Sequence, residues 1–175
     1  MNTEQQYDDV INSCKEVFLQ KTKDYGTSWR VYRTISVADQ VYIKAKRIRT
    51  VQQKGNQRID DDIISEFRGI LNYGIIGLIQ LDIDSDEPED LPFETVAGLY
   101  NDKAAIAKKL MMDKNHDYGE AWREMSQESF VDLILAKILR IKQILLNDGK
   151  TIISEGIDAN FYDIINYAVF ALIMI

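Results

Sequence analysis

The stretch Lys21-Thr22-Lys23-Asp24-Tyr25-Gly26-Thr27-Ser28-Trp29-Arg30 occurs again, with other fillers, as Lys114-Asn115-His116-Asp117-Tyr118-Gly119-Glu120-Ala121-Trp122-Arg123. Both read K-x-x-D-Y-G-x-x-W-R, and they stand 93 residues apart. No other feature restricts the fold as much, because a pattern repeated at that distance makes the chain two copies of one unit. The register extends well beyond the motif. Tyr7 falls on Tyr100, Lys15 on Lys108, Asp39 on Asp132, Lys44 on Lys137, Arg47 on Arg140 and Ile48 on Ile141. After a one-residue slip, Phe67, Asn72 and Tyr73 fall on Phe161, Asn166 and Tyr167.

Within each copy the apolar residues recur with a helical period. Tyr7, Val10, Ile11, Cys14, Val17 and Phe18 share one face of a helix, as do Tyr100, Ala104, Ala107, Leu110 and Met111. This predicts a first helix over 4–22 and 97–115, with Gly26 and Gly119 just past its end, where a left-handed residue is needed. A second helix is expected over 36–53 and 129–147. Ser36 and either Ser126 or Ser129 would cap its start, and Gly55-Asn56 and Asn147-Asp148-Gly149 would end it. A third is expected over 60–81 and 158–175. The fold class is therefore all-α, a helical bundle of two tandem units of three to four helices each. Residues 1–81 are the first unit, 82–93 an acidic linker and 94–175 the second, the two packing as one domain.

Composition narrows the function classes. A net charge of -7 argues against a broad surface for long nucleic acid, while leaving room for a local basic pocket. The single Cys14 excludes a disulfide within the chain and a cysteine-based zinc site, and the single His116 excludes a His-rich metal site. The polar, acidic stretch MNTEQQYDDV is unlike a signal peptide, and the apolar run from Phe161 to Ile175 is short for a bilayer span, so no membrane partner and a cytoplasmic location are expected. The linker opens D-x-D-x-D at Asp82, Asp84 and Asp86. It lacks the glycine and the terminal glutamate of a calcium loop and reads as solvated and acidic. The apolar end at Ile175 points to an interface, and with it to a homodimer.

The informative positions are polar residues on apolar stripes. On the second helix Phe130, Ile134, Ile138, Ile141, Ile144 and Leu145 form the stripe, and Lys137 falls in its middle. Val37, Val41, Ala45, Ile48 and Val51 do the same around Lys44, with Arg47 and Arg140 at the edge and Asp39 and Asp132 pointing away. A lysine there must reach water, pair with an internal carboxylate, or line a pocket for a phosphate-bearing ligand. On the third helix Asn72 and Asn166 are either amides hydrogen-bonding across helices or ligand contacts. Gly69 stands where the second copy has Asp163, and Glu66 where it has Asn160. Trp29 and Trp122 are core anchors or a stacking surface for a base. Asp24 and Asp117 pair with the lysines three residues earlier or reach the ligand.

Three motifs in order, twice over, complete the pattern. K-x-x-D-Y-G-x-x-W is followed by K-x-x-R-I (Lys44, Arg47, Ile48; Lys137, Arg140, Ile141) and then by D-x-x-N-Y-A (Asp163, Asn166, Tyr167, Ala168). The chain resembles the nucleotide modification associated domain 1 family, of the tandem-repeat type met in Bacteroidetes. More distantly it is similar to the all-α nucleoside triphosphate pyrophosphatases of the MazG and dimeric dUTPase type. The resemblance implies a role around nucleotides. From the distant relatives it implies a Mg²⁺-dependent pyrophosphohydrolase in which carboxylates hold the metal, with Asp163 as the candidate metal residue. Those enzymes carry E-x-x-E and E-x-x-D helices. This chain has Lys44/Arg47 and Lys137/Arg140 in place of the first, and Asp163-x-x-Asn166 or Gly69-x-x-Asn72 in place of the second.

The expected function is binding of a nucleotide or related phosphorylated small molecule. Lys44, Arg47, Lys137 and Arg140 would hold phosphate, with Asn72, Asn166, Asp24, Asp117, Trp29 and Trp122 around the ligand. The rival is a non-catalytic helical scaffold or oligomerisation module whose repeated polar residues pair inside each unit and leave no cleft. Among enzymatic readings the Gly69/Asp163 difference favours one active and one structural half.

Overall fold

The computed structural model describes residues 2–54 and 60–175. Six helices carry the fold: α1 Thr3–Tyr25, α2 Thr34–Lys54, α3 Asp60–Asp82, α4 Phe93–Tyr118, α5 Gln127–Leu146 and α6 Ile157–Met174. No strand occurs among the described residues. Each expected helix is present, and α1 and α4 are longer than expected by a turn or more. Asn2 caps α1 by accepting from the Gln5 N–H at 2.8 Å, and Ser126 caps α5 by accepting from the Ser129 N–H. Ser36 does not cap α2, which starts two residues earlier at Thr34. Gly55-Asn56, the expected end of that helix, lies outside the described residues.

The D-Y-G motif ends α1 and α4 in the same way. Gly26 and Gly119 take φ 68° and 69°, and each N–H returns to the carbonyl four residues back, Thr22 or Asn115, at 2.8 Å. A side chain at these angles is strained, so glycine closes both helices. A single 3₁₀ turn follows each, Ser28–Val31 and Ala121–Glu124, and drops Trp29 or Trp122 into the interior.

The bundle is built from α2 and α3 against α5 and α6, with α3 on α6 as its most extensive contact. Helix α6 is buried on nearly every side: Phe161, Ile164, Ile165, Ala168, Val169 and Ala171 are fully enclosed. It begins at Ile157 and so runs 18 residues, more than the apolar run in the sequence suggests. Among the described residues it is the one helix long and apolar enough to cross a membrane by length and composition, and 56% of it is buried in the protein. Close approach of α3 depends on glycine. A Cβ at Gly77 would sit 2.7 Å from the Phe161 ring, and one at Gly74 2.8 Å from Ile165.

The two copies hold each other reciprocally. Tyr7 donates to Asn166 Oδ1 at 2.7 Å, and Tyr100 donates to Asn72 Oδ1 at 2.8 Å. Each asparagine then donates back to helix α1 or α4 of its own copy, Asn72 to the Cys14 carbonyl and Asn166 to the Ala107 carbonyl, both at 3.1 Å. On the outside Arg49 pairs with Asp132 at 2.6 Å and Lys142 with Asp39 at 2.8 Å. Residue i meets residue j while the equivalent of j meets the equivalent of i, which is the pattern of a two-fold interface.

The acidic side chains of the linker are exposed, but its backbone is tethered. Arg30 donates to the carbonyls of Asp84, Glu87 and Pro88, and Thr27 bonds the Glu89 carbonyl and the Leu91 N–H. Leu91 is buried. Arg123, the equivalent of Arg30, instead donates to Thr3 and Gln6 at the start of α1.

Candidate functional site

Each copy forms a cleft behind its D-Y-G turn. The first, of about 240 Å³, lies between the end of α1, the Trp29 turn and the outer face of α3; Lys21, Lys44, Arg68, Trp29, Tyr32 and Tyr73 contribute to its wall. The second, of about 320 Å³, is lined among others by Lys114, Trp122, Asp163, Asn166, Tyr167 and Phe170. Every residue lining the second cleft has its repeat equivalent lining the first. The site is therefore a property of the repeated unit.

The two clefts differ in charge. In the second, Asp163 accepts from Lys137 at 2.8 Å and from Lys114 at 2.9 Å. The side chains of Lys137 and Asp163 are 14% and 12% exposed, so this pair is largely desolvated. Burial would lower the Lys114 ammonium, but the hydrogen bond and charge of Asp163 outweigh it and hold that group above its ordinary value. Burial also raises the Tyr167 phenol, and Asp163 adds to the shift.

In the first cleft glycine replaces this carboxylate. Lys44 reaches toward the vacated place: a Cβ built on Gly69 would lie 2.9 Å from its Cε and 3.2 Å from its Nζ. Its nearest carboxylate is Glu66 at 3.7 Å, which is already held by Arg47 at 2.7 Å. Lys21 and Arg68 make no salt bridge among the described residues. The first cleft thus carries three cations, of which among the described residues only Lys44 has a carboxylate within salt-bridge reach, and the second two, both bound to Asp163.

The aromatic walls differ too. Trp122 stacks on Phe170 with centroids 4.3 Å apart and planes 6° from parallel. In the first cleft Ile76 stands in the place of Phe170, and Trp29 meets Phe18 at a tilt. Tyr32 and Tyr73 stack at 6.4 Å beside it, and Lys44 lies over the Tyr73 ring at 5.8 Å. Burial raises the Tyr73 phenol above its ordinary value, helped by Tyr32.

The residues singled out from the sequence are thus spread over different places. Lys44, Asn72 and Trp29 line the first cleft, and Trp122, Asn166 and Asp163 the second. Lys137 reaches the second cleft through Asp163. Both asparagine amides are already engaged in the bonds that join the halves, so they form the floor of each cleft. Arg47 and Arg140 line neither cleft. Arg47 is 55% exposed and bound to Glu66 and Asp62, and Arg140 is exposed at the helix surface. Asp24 and Asp117 lie on the exposed last turns of α1 and α4, outside both linings. The lysines of their own motif do not fix them: Lys114 turns to Asp163, and Asp117 meets His116 at 3.4 Å.

Mg²⁺ seeks several hard oxygens in an octahedron. The donors described do not supply that set. Asp163 is shared by two ammonium groups, Lys44 and Lys137 occupy the helix that would carry the other carboxylates, and no group of three or more potential ligands gathers among the described residues.

Arg68 was not identified from the repeat, because its equivalent is Tyr162. The signal lay within one helix: Ser65, Arg68, Gly69, Asn72, Tyr73 and Ile76 recur at the spacing of one helical face, and that face is the cleft wall.

Comparison with curated proteins and with solved structures finds no match to this chain. The model of one family, described as nucleotide modification associated domain 1, matches it twice, over residues 21–81 and 114–175. Each match spans a D-Y-G turn and the two helices after it, the elements that build one cleft, and together they cover most of the sequence: the chain belongs to the nucleotide modification associated domain 1 family.

Proposed function

We propose that this protein binds a nucleotide or a related phosphorylated small molecule in its first cleft, with the second copy serving as the structural half. The observation that carries this reading is the cationic wall of Lys21, Lys44 and Arg68 around Gly69, met among the described residues only by the long Lys44–Glu66 contact of 3.7 Å, where the equivalent position in the other copy is a carboxylate bound to two lysines. Three cations beside the half-buried rings of Tyr32 and Tyr73 suit a ligand with a phosphate at one end and a flat ring at the other. Lys44, Lys21 and Arg68 hold the phosphate, and Tyr32 and Tyr73 offer surfaces for the base, with Trp29 as a buried part of the cleft wall. At about 240 Å³ the cleft is below the usual range for a drug-sized ligand, which favours a mononucleotide over a bulkier one. The family description, which links the domain to nucleotide modification, agrees with that class of ligand.

Binding, rather than hydrolysis, is the function this donor set supports. A Mg²⁺-dependent pyrophosphohydrolase needs carboxylates that these helices replace with lysine and arginine.

The test is a thermal-shift screen with nucleoside mono-, di- and triphosphates, each with and without Mg²⁺. A ligand at 100 times its Kd stabilises by about 2.7 kcal/mol, which for a chain of this size moves Tm by roughly 5–10 °C. The shift is expected without added metal and is lost in Gly69→Asp. No shift with any nucleotide would leave the helical scaffold as the better reading. Release of pyrophosphate only in the presence of Mg²⁺ would restore the hydrolase.

A further inference from the structure

We infer that the second cleft is a latent binding site, held closed by its own Asp163 carboxylate, which takes the place of the anionic group of a ligand. The inference rests on the reading that the first cleft takes a phosphorylated ligand, and it assigns the second cleft the same chemical class.

One substitution between the copies carries it. Asp163 replaces Gly69, and its two oxygens sit on Lys114 and Lys137 at 2.9 and 2.8 Å, the equivalents of Lys21 and Lys44. Phe170 replaces Ile76 and lies flat on Trp122 at 4.3 Å, but Trp29 and Trp122 are equally buried, so this is a difference of packing and not of ring access. A carboxylate between two lysines is the contact that the phosphate of a nucleotide would make. The chain supplies that group itself.

Closure is a matter of charge more than of volume. The second cleft is, at about 320 Å³, no smaller than the first at about 240 Å³. Its remaining polar groups are also in place: Asn166 forms its floor and Tyr167 its wall, matching Asn72 and Tyr73. Only the cations are spent. An incoming anion finds them neutralised and meets the Asp163 charge as well, which opposes binding. In the first cleft a Cβ at Gly69 would fall against the end of the Lys44 side chain, so that lysine fills the space beside the missing side chain.

The experiment is calorimetric titration of the full chain with inorganic pyrophosphate, comparing wild type, Asp163→Gly, Asp163→Asn and Gly69→Asp. Asp163→Gly restores the glycine of the first cleft, frees Lys114 and Lys137, and is expected to take one pyrophosphate more than wild type. Its Tm, lowered by loss of the ion pairs, is expected to recover on adding pyrophosphate. Asp163→Asn keeps the side-chain volume and provides the same count if the glycine variant does not fold. Gly69→Asp is expected to lose the wild-type site, with affinity down at least tenfold. An unchanged number of sites in the folded Asp163 variants overturns the inference whatever the wild-type count. A wild type that binds none, with an Asp163 variant that binds one, supports the latent site and removes the first-cleft reading. No binding in any variant removes both.

Discussion

Lys44 and Lys137 occupy equivalent positions on equivalent helices, yet they do different work. Lys137 is committed to a desolvated carboxylate, whereas Lys44 faces an open glycine and touches Glu66 only at 3.7 Å. The same substitution should therefore give opposite results. Lys137→Met leaves the buried Asp163 with Lys114 alone and is expected to cost stability toward the low end of the about 3–5 kcal/mol typical of a broken buried pair. Nucleotide binding should stay intact. Lys44→Met leaves Glu66 with Arg47 and should cost under about 1 kcal/mol, but should weaken binding at least tenfold. Urea melts and a titration of both variants decide it. The sequence marked both lysines as out of place on an apolar stripe, since that is a local property. It did not assign their partners, because a repeat places the same residue in both copies whether it pairs within a unit, across units or with a ligand. The same blindness hid Arg68, which has no counterpart cation in the second copy.

Among the elements, α3 and α6 show most clearly what the repeat conserves and what it relaxes. Their apolar faces were legible from periodicity alone, and so were the turns that close α1 and α4 at Gly26 and Gly119. Where α3 has Gly74 and Gly77, α6 has Ala168 and Ala171, so only one partner had to thin its surface for the contact. Glycine within a helix ordinarily costs about 1 kcal/mol against alanine. At Gly77 the added methyl would lie 2.7 Å from the Phe161 ring, and overpacking of that kind costs about 1–3 kcal/mol. Gly77→Ala should therefore lower Tm. Gly98→Ala, on the exposed side of α4 with nothing within 4 Å of the new methyl, should raise it. Equal effects at the two sites would mean that α3 and α6 do not approach as closely as described. The 3₁₀ turns and the strapping of the linker to Arg30 and Thr27 were not legible, because carbonyls as acceptors leave no trace in residue type.

For the whole molecule, the halves depend on two buried phenols. Burial raises Tyr7, with Asp8 adding to it, and burial likewise raises Tyr100 well above its ordinary value of 10.0. A raised group contributes stability that is complete below its unfolded value and is lost as pH climbs toward the folded one. Above pH 10 each phenol should therefore remove up to about 1.4 kcal/mol per pH unit. Lys114, raised above 10.5, gives the same sign. Urea midpoints should be level near neutrality and fall steeply beyond pH 10, and Tyr7→Phe should flatten that fall. The same variant should cost about 1–3 kcal/mol at pH 7, because Asn166 Oδ1 is left buried without its donor.

The reciprocal bonds between the halves have a genetic consequence. Tyr7 needs Asn166 and Tyr100 needs Asn72, so either half supplies what the other lacks, as the subunits of a homodimer do. In a homodimer one gene encodes both sites, and every substitution is made twice. Joined in one reading frame, the two sites are written separately. One codon can then keep Gly69 while another becomes Asp163, and one cleft can be given over to stability while its twin stays free for a ligand. The fusion turns an enforced symmetry into a choice.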